Sequence, residues 1–261
     1  MEKELITAGS VLANTGKLAE AQELFERALA INPLAYEALA ALGKIWRFRE
    51  DPQKAIGYFE RAIKVDPAGT EALVGLFCER KKLCIWKSYR EADKKLSKLV
   101  KEALASGKAP GEMPYENITR VADLALNYDL TKWWSGVYLQ QRVVKLRQVV
   151  NFEFERGRKK KIRLGYFSAD FREHPVARLI IDLFSLHDRR EFEVYLFSYG
   201  PDDGKEIRKR AEVEGDKFVD LKGMGVERMA REIYRNKVDI LIDMMGFSGD
   251  AKPEVLALRP A

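Results

Sequence analysis

The run SADFREHP at residues 168–175 holds the side chains best suited to chemistry, among them His174, which can take up a proton near neutral pH. Pro175 sits where a helix opens, because its ring pre-sets φ and its missing N–H is not needed in a first helical turn. That helix is expected to run to about residue 186. His174 then lies at its amino terminus, able to accept a proton or a hydrogen bond. A histidine so placed serves as a cap or a structural residue as readily as a reactive one. Asp202 and Asp203 in the turn PDDG invite a metal reading, yet adjacent carboxylates in such a turn more often cap the next helix, and no D-x-D motif occurs there. Cys78 and Cys84 are too few for a disulfide framework and have no nearby histidine for zinc, so both are expected as reduced thiols and no metal site is expected. Neither G-x-G-x-x-G after the first strand nor G-x-x-x-x-G-K-[ST] anywhere is present, which weakens dehydrogenase and kinase readings.

The elements that must position these residues are short β-rich runs at 162–167, 192–199, 217–221 and 238–244, separated by amphipathic stretches of helix length. This alternation argues for a parallel sheet covered by helices. Ligands of such sheets bind beyond the carboxyl ends of the strands, which directs attention to the loops SADFREHP, GPDDG, KGMG and GFSGD.

Upstream the organisation is different. Ala21, Phe25, Glu26, Arg27, Ala28 and Pro33 recur as Ala55, Phe59, Glu60, Arg61, Ala62 and Pro67, a period of 34 residues. Leu5, Gly9 and Leu12 return as Leu39, Gly43 and Trp46, so small residues recur where two antiparallel helices must approach closely. This pattern resembles the tetratricopeptide repeat. A third repeat begins with Thr70, Leu73 and Leu76 and then departs from the pattern, with Phe77 where a small residue is expected. Two intact repeats bury little surface alone, so they are expected to dock on the helices that follow or to continue an upstream array. Residues 86–150 read as helical with a break at 108–114, and Trp133 and Trp134 read as packing rather than a ligand platform.

The 261 residues are 46% hydrophobic, enough for real cores and for about two domains. The longest apolar runs, 179–183 and 238–242, are far short of a membrane span, and Met1 is followed by Glu2, Lys3 and Glu4 rather than a signal sequence. A cytoplasmic location is the expectation. Net charge is +6, with a local excess in Arg156, Arg158, Lys159, Lys160, Lys161 and Arg163 that reads as a solvated linker. Without interleaved aromatics it does not support a nucleic-acid partner.

The stretches IRLGYFSADFREHPVARLI, FEVYLFSYGPDDG, KFVDLKGM and VDILIDMMGFSGDAKPEVLALRPA, in this order and behind such repeats, resemble glycosyltransferase family 41, the group of O-linked N-acetylglucosamine transferase and SPINDLY. The resemblance implies a multidomain chain: an all-α tetratricopeptide-repeat solenoid over residues 1–85, a helical connecting region over 86–155, and over 156–261 an α/β Rossmann-like half of a GT-B catalytic region whose second half is absent. It implies a protein O-glycosyltransferase that moves a sugar from a nucleotide donor to Ser or Thr, with inversion and with no metal or other cofactor. The donor it suggests first is UDP-N-acetylglucosamine, with GDP-fucose used by some relatives. His174 matches the family's histidine, as general base or as hydrogen-bonding partner of acceptor and sugar. Asp170 would orient the loop or His174, and Pro175 would fix the helix start. Asp243, Gly246 and Phe247 match a substrate-facing loop, in which Met245 and Phe247 depart from an N-G-Y-T type pattern and so remove an amide and a hydroxyl. Arg178 likewise stands where many relatives carry a second histidine or a small polar residue. Protein acceptors would be recruited by the repeats, and a missing second lobe would leave residues 1–261 inactive alone. A non-catalytic repeat scaffold is the competing reading.

Overall fold

The computed structural model describes residues 1–154, 157 and 160–261, which form two compact units, 1–131 and 132–261. The division falls inside the stretch expected as a helical connection. Arg156, Arg158 and Lys159 of the basic cluster lie outside the described residues.

The first unit is a run of helices: α1 Glu2–Asn14, α2 Leu18–Ile31, α3 Tyr36–Phe48, α4 Pro52–Val65, α5 Thr70–Lys82, α6 Tyr89–Ala105 and α7 Pro114–Ile118, entering α8 Leu124–Trp133. The recurring small and large residues meet in space. A Cβ on Gly9 would lie 2.9 Å from the Phe25 ring, and one on Gly43 would lie 2.5 Å from the Phe59 ring. Phe59 is fully buried, and burial of such a ring is worth about 2–3 kcal/mol. Ala21, Ala28, Ala55 and Ala62 are also fully buried, where a larger side chain would push the paired helices apart. Asp51 caps α4 by accepting the Lys54 N–H at 3.1 Å, and Pro52 opens that helix. The third repeat does form its first helix. The close approach to Phe59 is made by Gly75, two positions before the repeat register, where a Cβ would lie 2.3 Å from the ring. Phe77, freed from that duty, is buried against Tyr89 with ring centroids 4.6 Å apart. The break expected at 108–114 is present, and Arg120 holds it with two bonds to Glu112, at 2.7 and 2.8 Å, both side chains being almost fully buried.

The second unit opens with a π-helical turn at Trp134–Tyr138, where the Trp133 and Trp134 rings pack edge to face 5.7 Å apart, followed by α9 Leu139–Val149. The sheet follows: β1 Ile162–Ser168, α10 Pro175–Ile180, α11 Leu183–Leu186, β2 Phe192–Ser198, α12 Glu206–Glu214, β3 Lys217–Asp220, α13 Val226–Arg235, β4 Ile240–Asp243 and α14 Pro253–Ala257. All strands are parallel, in the order β3-β2-β1-β4. Central β1 is buried continuously from Leu164 to Ser168, as a strand covered on both faces must be. Its two faces belong to different cores, Phe167 packing with Phe197, Leu221 and Ile233, and Leu164 and Tyr166 packing with Phe184 and Leu196.

The helix expected over 175–186 is instead two short helices. The β-branched pair Ile180 and Ile181 weakens the run, and Asp182 is drawn to Arg210 at 2.6 Å where the first helix ends. Among the described residues no helix is long and apolar enough to cross a membrane.

Candidate functional site

In the order β3-β2-β1-β4 the chain leaves β1 toward β2 on one side and reaches β4 on the other, so the switch point lies between β1 and β4. In open parallel sheets ligands bind beyond the carboxyl ends of the strands at such a point. The loops after β1 and β4 are those that carry His174 and Asp243.

After Ser168 the backbone turns at once. The Asp170 N–H donates to Ser168 Oγ at 2.9 Å, and the Arg172 N–H donates to the Asp170 carbonyl at 2.7 Å. This folds the loop so that Asp170 Oδ2 comes within 3.3 Å of His174 Nδ1. Nδ1 also lies 3.3 Å from the Val176 N–H, which caps α10. The two contacts exclude each other: an unprotonated Nδ1 accepts from Val176, whereas a protonated Nδ1 donates to Asp170. In the second arrangement Nε2 keeps its lone pair, and a carboxylate behind a histidine is the usual way to orient a ring that receives a proton. Asp170 is 7% exposed and His174 33%, so the carboxylate is sheltered while the ring meets solvent. Pro175 is exposed and opens α10, as the sequence suggested.

In the loop after β4, the Asp243 carboxylate accepts the Met245 and Gly246 N–H groups, each at 3.0 Å. Gly246 takes the left-handed φ of 55° that lets the loop close, a conformation costly for any residue with a Cβ. Burial raises the Asp243 pKa, and the two amides oppose the rise. Met245 packs into the core beneath the loop, its sulfur 3.4 Å from Ser168 Oγ, so its side chain is spent on joining the two loops. Phe247 is half-buried.

Sequence reasoning missed Tyr199 and Gly200, and it weighed Asp203 only as a metal ligand or helix cap. Tyr199, just beyond β2, is buried and stacks on Phe167 at 4.4 Å. Among the described residues its hydroxyl finds no hydrogen bond of normal geometry, although the Lys252 backbone amide approaches it. Burial raises its pKa, and the nearby Asp243, Asp170 and Asp250 carboxylates raise it further. Asp203 Oδ2 accepts the Glu173 N–H at 2.9 Å, and Gly200 lies against the Ala169 carbonyl so closely that a Cβ would fall 1.8 Å from its oxygen. The available signal was position alone, since the run SYGPDDG follows a strand of a parallel sheet. Among the described residues no group of three or more His, Cys, Asp or Glu side chains could hold a metal ion.

At the opposite end of the sheet a cavity of about 720 Å³ is lined by Phe154, Lys161, Arg163, Tyr234 and Lys237. It lies at the amino ends of the strands, away from the switch point. Arg163 there is paired with Glu193 at 2.8 Å.

The glycosyl transferase family 41 model matches residues 83–261, and a tetratricopeptide-repeat model matches residues 2–45. The chain is 29% identical over 188 residues to the UDP-N-acetylglucosamine–peptide N-acetylglucosaminyltransferase of Caenorhabditis elegans, covering 69% of this chain and 16% of that protein. It is 24% identical over 184 residues to the probable UDP-N-acetylglucosamine–peptide N-acetylglucosaminyltransferase SEC of Arabidopsis thaliana, covering 69% of this chain and 19% of that protein. The chain thus spans less than a fifth of either relative. A solved mutant of the Thermobaculum terrenum O-GlcNAc transferase superposes over 100% of this chain and 49% of its own, with a TM-score of 0.52 and 21% identity, a likeness of fold.

Proposed function

Because the chain belongs to glycosyl transferase family 41, we propose that it carries the first catalytic half of a protein O-glycosyltransferase and that the carboxyl ends of β1 and β4 face the reacting sugar. The observation that carries this reading is the Asp170–His174 pair, a sheltered carboxylate behind a half-exposed imidazole at the switch point of a parallel sheet. An acceptor hydroxyl has a pKa far above neutral and must lose its proton as it attacks. In this reading the Ser or Thr oxygen forms a bond to the anomeric carbon from one face as the bond to the diphosphate oxygen breaks on the other. Configuration inverts, the hydroxyl proton passes to His174 Nε2, and the diphosphate leaves with the electron pair. Donors that neutralise the departing diphosphate belong, in the same reading, to a second lobe outside residues 1–261, and no metal ion takes part.

UDP-N-acetylglucosamine is the donor we favour, since the two relatives above carry it in their names. The repeats would recruit protein acceptors along their surface, and we place the protein in the cytoplasm. The test is sugar transfer and donor hydrolysis by this chain alone and by any longer reading frame that contains it, with UDP-N-acetylglucosamine and GDP-fucose in parallel. Transfer by the longer form, lost by about 100-fold or more in His174→Ala with donor affinity little changed, is the expected result. Inactivity of every form, with peptide binding by the repeats intact, overturns this reading in favour of a scaffold.

A further inference from the structure

The aspartates of the turn PDDG after β2 do not cap the next helix as the sequence suggested: α12 starts from Lys205 without a side-chain cap, and both carboxylates close turns ahead of it. The turn's first aspartate closes it, Asp202 Oδ1 accepting the Gly204 N–H at 2.8 Å and lying 3.9 Å from Arg208 Nε. Its second acts in two directions: Asp203 Oδ1 accepts the Lys205 N–H at 3.1 Å, while Oδ2 crosses to the loop after β1 and accepts the Glu173 N–H at 2.9 Å. Glu173 is the residue immediately before His174. Two more links tie the same pair of loops, the Tyr199 N–H donating to the Ser168 carbonyl at 3.1 Å and Gly200 lying flush against Ala169. The turn is in turn held from below. Arg208 of α12, 3% exposed, donates to Ser198 Oγ at 3.1 Å and Asp220 Oδ2 at 3.3 Å, and its guanidinium lies 4.5 Å over the Phe218 ring.

We propose that Asp203 is a positioning residue for His174, fixing through the Glu173 backbone where the imidazole stands relative to Asp170 and to the acceptor hydroxyl. The inference rests on the transferase reading for its catalytic consequence and on geometry alone for its structural one. Without the bridge, the buried Phe171 ring and the Glu173–Arg178 side-chain pair still hold the segment, but the Glu173 backbone next to the imidazole loses its partner, and with it the ring loses the fixed position from which Nδ1 meets Val176 or Asp170.

Asp203→Ser separates the two duties, since a serine hydroxyl can still accept from a backbone N–H two residues on but is too short to reach Glu173 as well. Asp203→Asn keeps a single acceptor oxygen, long enough to take the Glu173 N–H at the expense of the Lys205 bond, and serves as the conservative rescue of the bridge. Asp202→Ala, which removes the Gly204 turn bond and the pairing with Arg208 but leaves the Glu173 bridge in place, is the control.

The structural readout is the tautomer of His174, taken from the nitrogen chemical shifts of its ring in the full chain; only His174 and His187 need to be told apart, by a His187→Gln variant. The expected result is a changed ring signature in Asp203→Ser, with the wild-type signature in Asp203→Asn and Asp202→Ala. The kinetic readout is transfer by whichever form of the protein is active, where Asp203→Ser should lower kcat roughly ten- to a hundredfold with donor KM within about twofold, as for a catalytic group misplaced by about 1 Å. An unaltered His174 signature in folded Asp203→Ser overturns the positioning role whether or not any form transfers sugar. An altered signature with no transfer by the wild type sustains it and rejects the transferase reading. Equal kcat losses in Asp203→Ser and Asp203→Asn also overturn it.

Discussion

Replacing Gly200 with alanine probes the tightest contact of the site with a single methyl group. Gly200 does not have a left-handed φ, so a Cβ meets no conformational objection there, only a steric one. The new carbon would fall 1.8 Å from the Ala169 carbonyl oxygen, 2.7 Å from its carbon and 3.1 Å from its Cα. These are backbone atoms and cannot rotate away. Ordinary contact begins near 3.4 Å, so the loops after β1 and β2 must part by about 1.5 Å. That displacement stretches the Tyr199–Ser168 and Glu173–Asp203 bonds together. Overpacking of this kind costs about 1–3 kcal/mol, and each stretched bond adds up to about 1 kcal/mol. Hydrogen exchange of peptides from β1 and β2 reads the loss locally, without assuming that both units unfold together. Exchange in those peptides should accelerate by roughly 10- to 1000-fold, while peptides of residues 1–131 stay unchanged. Protection in β1 and β2 within about twofold of wild type would falsify the close approach.

Three further outcomes are expected. Phe59→Ala, which empties the space between Gly43 and Gly75, should destabilise the first unit by about 3–5 kcal/mol in urea unfolding, and a loss below about 1 kcal/mol would mean the ring is not held between the two helices. Asp243 has a raised pKa in the folded state, so the folded protein holds its proton more tightly than the unfolded chain, and stability should fall as pH rises from the ordinary value of 3.8 toward the raised one. Across that range the urea midpoint of the wild type should fall relative to that of Asp243→Asn, since the other carboxylates titrate alike in both, and parallel curves would contradict it. Cys84 is exposed whereas burial, with Glu116 beside it, pushes the Cys78 thiol up to about 11, so maleimide at pH 8 should modify Cys84 well before Cys78, and equal rates would contradict the packing around Cys78.

What could be read from the residues was what repeats or alternates. The pairing of Gly9 with Phe25 and of Gly43 with Phe59 follows from the 34-residue period, and the four strands follow from their apolar runs. Gly75 was not found because the period points to residue 77, and tertiary packing outweighed the register. Residues 175–186 kept an amphipathic helical pattern while the chain breaks at Ile181 and Asp182, where a tie to Arg210, 28 residues away, competes with one more helical turn. At the site, Asp170 and His174 were legible as residues of one motif, but their approach depends on a loop turn rather than on helical spacing. The bridge from Asp203 to Glu173 spans 30 residues and leaves no periodic trace, so only the folded chain reveals it.

The site is built asymmetrically, and this bears on how a ligand would be received. The loops after β1 and β2 are already fastened to each other by backbone atoms and a short carboxylate, so they have little freedom left to lose. The loop after β4 is closed by its own aspartate and meets its neighbour through a sulfur–hydroxyl contact. Beyond the Met244 N–H bond to the Phe167 carbonyl at its start, the β4 loop is held chiefly by bonds within itself. Of these loops, the one after β4 keeps fewer ties to its neighbours, so ordering on complex formation should cost most over residues 244–250, and a substitution that stiffens that segment should tighten binding more than one that adds contacts on the His174 side.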